Sequence, residues 1–363
     1  MGTTLLYFLW NADPEMFVIP GIDWPVRWYG LLFAVAFIGS QFVMNKVYKT
    51  ELRPQKDLDT LTLYIIIGTV VGARLGHMLF YDFKALMENP LDVFKIWEGG
   101  LASHGSAIGI LTAMWLYCRK TKENWLWIFD RLVIVVALSA MCIRGGNLMN
   151  SEIIGKPTNA SYGFVFLNPL DQSIKQSLTN IDKVDYKLVG KDTIVNRHAV
   201  SLLEVNVKTS SIVPKDSILK VASEIAWYSS NTRPDDKHIF IAPGKLMREN
   251  QEASNSFTFQ VYAIPRHAAQ LYEGLFGFIL FIVFFWLWLK KRDKFPQGFM
   301  FGLFCVLLFT ERFFDEMLKE NQVAFEEGMK LNMGQWLSIP FVLIGIVFMV
   351  WSKKRNVFHQ LPK

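Results

Sequence analysis

Hydrophobic positions in this chain are gathered into long runs separated by short polar breaks. Seven apolar segments, near 26–48, 61–83, 99–119, 125–147, 271–290, 296–317 and 336–352, reach or approach bilayer-crossing length, which is ~20 residues for a helix. Between the fourth and fifth lies a markedly more polar stretch, 148–270. It is too long for a structureless loop in a compact protein, so it predicts a folded domain. Within it Leu203, Val205 and Val207 alternate with Glu204, Asn206 and Lys208, and Phe257, Phe259 and Val261 alternate with Thr258, Gln260 and Tyr262. That period of two predicts half-buried strands. Ile239-Phe240-Ile241 runs into Ala242-Pro243-Gly244, a turn signal.

The expected fold is therefore an all-α polytopic membrane protein of about seven transmembrane helices, with a β-rich insertion between spans four and five. Residues 1–147 form an N-terminal interfacial segment and spans one to four, 148–270 an outer head domain, and 271–363 spans five to seven and a tail. Met1–Trp10 is apolar but short and lacks a basic leader, so it is not expected to be a cleavable signal peptide. Gly68, Gly72, Ala73 and Gly76 recur at about four-residue spacing on span two, a pattern that lets helices approach closely.

Composition agrees with the pattern. Of 363 residues 52% are hydrophobic and 19% charged, with 30 Phe and 12 Trp; soluble domains are usually nearer a quarter charged. The basic residues set orientation. Clusters at Lys46–Lys56, Arg119–Lys122, Lys290–Lys294 and Lys353–Arg355 follow spans one, three, five and seven. All fall on the cytoplasmic side if the N-terminus is outside and the C-terminus inside. The net charge of +6 is thus accounted for by loops, and no basic face with interleaved aromatics points to nucleic acid. Cys118, Cys142 and Cys305 lie in or at the ends of spans, so no disulfide framework is expected.

Polar residues inside or beside apolar runs are the candidates for chemistry, because charge at membrane depth is costly. Arg144-Gly145-Gly146-Asn147-Leu148-Met149-Asn150-Ser151-Glu152-Ile153-Ile154-Gly155 follows directly on the apolar run Trp125–Cys142. Arg144 and Asn147 share a helical face; they either grip a phosphorylated head group or tie helix ends together. On span two, Arg74 and His77 share a face, and Arg74 either binds phosphate or pairs with a carboxylate. His104, after Trp97-Glu98-Gly99-Gly100, marks a broken start to span three. It is either a general base or a hydrogen-bonded structural histidine. Arg312 and Glu316 are four apart and can pair on one face; they form either a structural salt bridge or, with Arg144, an anionic head-group site. Arg27-Trp28-Tyr29-Gly30 opens span one, where aromatics serve as interfacial anchors. No metal-ligand spacing is present.

Taken in order, these motifs resemble the prolipoprotein diacylglyceryl transferases, integral membrane enzymes of bacteria. The resemblance runs through Arg27-Trp28-Tyr29-Gly30, Gly72-Ala73-Arg74-Leu75-Gly76, Trp97 to Gly105, the Arg144 to Gly155 signature, Pro265-Arg266-His267 with Gln270-Leu271-Tyr272-Glu273, the Arg312–Glu316 pair, and Met333-Gly334-Gln335 with Leu337-Ser338-Ile339-Pro340. It covers roughly 20–160 and 262–352. Ser106, Ile143 and Leu308 depart from the family's usual Gly, Gly and Tyr. The resemblance implies transfer of the sn-1,2-diacylglyceryl group from phosphatidylglycerol to the lipobox cysteine of a prolipoprotein signal peptide. A thioether forms and glycerol phosphate leaves, with no cofactor and no metal. It implies catalytic roles for His104, Arg144, Tyr29, Asn147 and Arg312. It implies lipid contacts for Arg144, Arg312, Glu152, Glu316, Gly155, Asn150 and Arg74. It also implies the bacterial plasma (inner) membrane, with the N-terminus and head domain periplasmic, the C-terminus cytoplasmic, and membrane lipids as surroundings. Two other classes remain: a lipid transporter, which would tend to show repeated halves, and a non-catalytic membrane scaffold.

Overall fold

A computed structural model describes residues 6–95, 100, 102–178, 180–195, 197–231, 238–241, 254–320, 326 and 328–359. The predicted features at Met1–Leu5, Trp97-Glu98-Gly99 and Ala242-Pro243-Gly244 lie outside these residues. Helices occupy all seven predicted apolar segments: α1 (Trp28–Thr50), α2 (Gln55–Phe80), α4 (Ser103–Thr121), α5 (Trp125–Met149), α8 (Ala269–Lys291), α9 (Phe299–Asp315) and α10 (Met333–Arg355). Among the described residues five of them, α1, α2, α5, α8 and α10, are long and apolar enough to cross a membrane. The protein is thus helix-rich, with the character of a polytopic membrane protein. Ile38, Phe42, Leu63, Ile67 and Val347 stand more than half exposed. Such apolar helix faces are stable against lipid and not against water. A short helix α3 (Phe83–Glu88) and a 3-10 turn (Pro90–Phe94) lie between α2 and α4.

The chain divides into two compact units. One comprises 34–140, 277–310 and 339–363. Its tightest contact is α2 on α4, where Gly68, Gly72 and Gly76 face Gly105 and Gly109 with no room for a Cβ on either side. Removing side chains lets the backbones touch, which replaces the hydrophobic drive that lipid cannot supply. A fully buried carboxylate, Glu51, is met by Arg131 Nε (2.8 Å), Trp127 Nε1 (2.6 Å) and Trp288 Nε1 (2.6 Å). Burial opposes its charge, and Arg131 with the two indole donors holds it ionised. Asp130 accepts from the Gly298 and Phe301 amides at 2.7 and 2.9 Å, closing the start of α9, and pairs with His359 at 2.7 Å.

The other unit comprises 1–33, 141–276 and 311–338. Here β1 (Leu6–Trp10) pairs in parallel with β4 (Tyr162–Phe166), and β2 (Glu15–Ile19) forms a hairpin with β3 (Trp24–Arg27). The polar stretch folds into an antiparallel sheet in the order β5 (Ile181–Val195), β6 (His198–Val213), β8 (Ser254–Ala263) and β7 (Ile239–Ile241). Leu203, Val205 and Val207 of β6 sit opposite Val261, Phe259 and Phe257 of β8, all buried. The alternate positions Glu204 and Gln260 hydrogen bond at 3.3 Å. Two helices that the period-two pattern did not announce, α6 (Asn168–Ser177) and α7 (Lys215–Asn231), cover this sheet. Leu170 and Ile174 of α6, with Ile218, Val221 and Ile225 of α7, fill its core. Tyr7 and Leu9 of β1 pack against the same core.

Candidate active site

In the head-bearing unit, the apolar run of α5 gives way to Arg144, then to two glycines. A Cβ on Gly146 would stand 2.8 Å from Tyr29 Cδ2, so the Tyr29 ring lies directly against this backbone. The Arg144 Nη1 donates to Asn147 Oδ1 (3.3 Å), and Asn147 Nδ2 donates to Glu152 Oε2 (3.2 Å). Asn150 Nδ2 donates to Glu152 Oε1 at 3.1 Å. Two amides thus grip both oxygens of one carboxylate, and the signature closes on itself. The chain leaves α5 through left-handed residues at Ser151 (φ 52°) and Ile153 (φ 58°). Gly155 does not take a left-handed φ; its glycine is needed because the His267 backbone occupies the Cβ position. Its amide donates to the His267 carbonyl (3.0 Å), and Arg266 Nη1 donates to the Gly155 carbonyl (3.1 Å).

A second layer ties the two arginines together. Arg144 Nε lies 2.7 Å from Glu273 Oε2, and Glu273 Oε1 accepts from Lys319 Nζ at 2.7 Å. The same Nζ reaches Glu316 Oε1 (3.1 Å) and Asp315 Oδ2 (3.3 Å), and Glu316 pairs with Arg312 at 3.5 Å. The path Arg144–Glu273–Lys319–Glu316–Arg312 is continuous. Lys319 is 1% exposed, so these carboxylates take the place of water around its ammonium. Gly334 makes room for Glu316, since a Cβ there would stand 2.6 Å from Oε1. Asn332 Nδ2 donates to Glu316 Oε2 at 3.1 Å. The Arg312 side chain stays 36% exposed and that of Arg144 17%, so neither guanidinium is sealed off. Arginine held this way keeps a fixed planar fork for an anionic oxygen, at little cost in side-chain entropy when it binds.

The structure therefore brings together Tyr29, Arg144, Asn147, Asn150, Glu152, Gly155, Arg312 and Glu316 within one unit. Arg74 and His104 belong to the other unit. There Arg74 is buried and donates to the Asp92 carbonyl at 2.6 Å. Gly100, with φ 68°, lies against His77 and has no room for a Cβ. His104, in the first turn of α4, is exposed; its Nε2 lies 2.8 Å from the Tyr81 hydroxyl and its ring stacks on Tyr81. Among the described residues no three His, Cys, Asp or Glu side chains could hold a metal.

Sequence reasoning did not single out Lys319 or Asp315, and it quoted Glu273 without a role. A signal existed: Arg312, Asp315, Glu316 and Lys319 recur at three- and four-residue spacing across the end of an apolar run. In an uninterrupted helix that spacing shares one face, although α9 itself ends at Asp315.

The model of one family, prolipoprotein diacylglyceryl transferase, matches residues 14–351. Among curated relatives, a protein of Tolumonas auensis is 36% identical over 348 residues, covering 96% of this chain and 98% of the relative. One of Bacteroides fragilis is 35% identical over 370 residues, covering 98% of this chain and all of the relative. One of Chloroherpeton thalassium is 31% identical over 358 residues, covering 97% of each. All three are named phosphatidylglycerol–prolipoprotein diacylglyceryl transferase.

Proposed function

The chain belongs to the prolipoprotein diacylglyceryl transferase family, and from that premise we propose how its residues carry the reaction. It is a transferase that moves the diacylglyceryl group from phosphatidylglycerol to a prolipoprotein. The acceptor we assign is the thiol of the lipobox cysteine. The thiol gives up its proton, and its sulfur forms a bond to the glyceryl carbon. The bond from that carbon to the phosphate oxygen breaks, and glycerol phosphate leaves with the electron pair.

The observation that carries this reading is the pair of arginines joined through Glu273, Lys319 and Glu316. Negative charge grows on the phosphate as it leaves, and fixed guanidinium donors stabilise that charge more than they stabilise the bound lipid. In this reading Arg144 and Arg312 hold the phosphate. Tyr29 and Asn147 orient the glyceryl backbone, while Glu152, Asn150, Glu316 and Gly155 shape the head-group site. His104 is assigned as proton acceptor on its own chemistry: an exposed imidazole with Nε2 on a tyrosine hydroxyl. A cysteine thiol (pKa ~8.5) must lose its proton to react. Arg74 is assigned a lipid contact. We further read α4 and α9 as spans, giving seven, with the head domain periplasmic and the C-terminus cytoplasmic in the inner membrane.

The test uses the purified full chain in phosphatidylglycerol-containing micelles with a lipobox peptide. Mass spectrometry should find a diacylglyceryl adduct on the cysteine. Folded Arg144→Ala should lose at least about a hundredfold in rate, the scale for removing a donor to developing negative charge. No adduct from folded parent protein, across several phosphatidylglycerol species, would overturn the reading.

A further inference from the structure

Beside the signature, a polar cleft of about 790 Å³ opens between the N-terminal hairpin, α6 and the first residues of β5, and its lining includes Asn150 and Glu152. Its size is that of a ligand site. Three features define what fits it. Its wall holds five carboxylates and three basic side chains, with further amides and few apolar groups. Acyl chains are therefore excluded, because burying these groups against hydrocarbon would leave them unsatisfied. Two of the carboxylates are matched, Glu15 by Arg27 (3.3 Å) and Asp171 by Lys175 (2.7 Å). Asp13 accepts the Glu15 amide at 2.9 Å and feels the Lys175 charge without pairing with it, and Asp182 has no ion pair among the described residues. Both are exposed. Lys183 points its charge to Asp185 at 2.6 Å, which lies outside the wall. The cleft is thus acidic. Finally, β5 is an edge strand, bonded to β6 alone in its sheet. Its first residues, Ile181 to Val184, form part of the wall. Edge strands accept extended peptides through main-chain hydrogen bonds.

We propose that this cleft holds the prolipoprotein segment just C-terminal to the modified cysteine, as an extended peptide, and that it favours basic over acidic side chains there. The inference rests on the reading that the acceptor is a polypeptide thiol that reacts at the head-group site Glu152 helps to shape. The continuity of the cleft with Glu152, its polar wall and its unmatched carboxylates together select the polypeptide over the lipid as occupant.

The experiment compares three lipobox peptides in the micelle assay: one ending at the cysteine, one continuing with lysines, and one continuing with glutamates. The full chain should use the lysine peptide best, by about fivefold in kcat/KM over the glutamate peptide, the scale of two surface charge contacts. The difference should lie in KM. The double variant Asp13→Lys, Asp182→Lys should reverse the preference and leave the rate on the truncated peptide unchanged. Adducts formed at equal efficiency on all three peptides, or a preference untouched by the double variant, overturn the cleft while leaving the transferase reading intact. No adduct on any peptide overturns both.

Discussion

At the scale of single residues, the most consequential side chain is Lys319. It is buried among Glu273, Asp315 and Glu316, and through two of them it fixes both arginines. Replacing it with Met would leave three carboxylates facing one another in a poorly solvated place. We expect Lys319→Met to destabilise the protein by about 3–5 kcal/mol, the usual cost of stranding buried charges, with Lys319→Arg much milder. Thermal unfolding in detergent measures this, and an unchanged transition for Lys319→Met would show that the carboxylates are held by something else. Arg144 was legible in the sequence because a cation directly after an apolar run stands out. Its partner Glu273 was not, because the contact joins residues far apart in the chain, and no spacing rule reaches that far. Gly155 stood at the end of the signature, but nothing in the sequence said why a glycine is needed there. The reason, close approach of the His267 backbone, was visible only in three dimensions.

At the scale of elements, α2 and α4 are held by backbone contact through their glycines. A Cβ on Gly109 would collide with the Gly68 carbonyl, a neighbour that cannot swing away. Gly109→Val should therefore cost about 1–3 kcal/mol or more, while Gly30→Ala, which meets nothing within 4 Å, should leave the melting temperature nearly unchanged. Equal melting temperatures for the two variants would contradict the packing described. The head makes a pH-dependent prediction. Burial, then the Arg266 charge, push the His238 imidazole down from its ordinary 6.5 to about 3. The folded head thus refuses a proton that the unfolded chain accepts. Its contribution to stability is whole above pH ~6.5 and falls by up to about 1.4 kcal/mol per pH unit toward pH 3. His238→Phe should lose less melting temperature between pH 7.5 and pH 5 than the parent does, and parallel losses would refute the assignment. Strands β6 and β8 were legible because alternation is a local property of the sequence; β1 to β5 carried no reading of this kind. Helices α6 and α7 were missed because their apolar faces at Leu170, Ile174, Ile218, Val221 and Ile225 follow a longer period, within a segment read only for alternation.

At the scale of the whole molecule, the proposed seven spans place the basic loops and the head on opposite sides of the membrane. Lys208→Cys on the head should react with a membrane-impermeant maleimide in intact spheroplasts. Lys120→Cys and Lys354→Cys should react only after permeabilisation; all three lysines are exposed. Labelling of all three from the outside would break that topology. Here the division between sequence and structure has a physical cause. The sequence by itself determined where the long apolar helices and the strands β6 and β8 form, which residues carry charge at the ends of apolar runs, and the family. Hydrophobic run length, period and motif order are properties of neighbouring residues, and they survive without a fold. Only the tertiary structure decided which charges neutralise which. Glu273 of α8 meets Arg144 of α5 on one side and Lys319, beyond the end of α9, on the other, because folding brings separate segments together. The pairing of buried charges depends on distances of a few ångströms, and the order of residues along the chain does not set those distances.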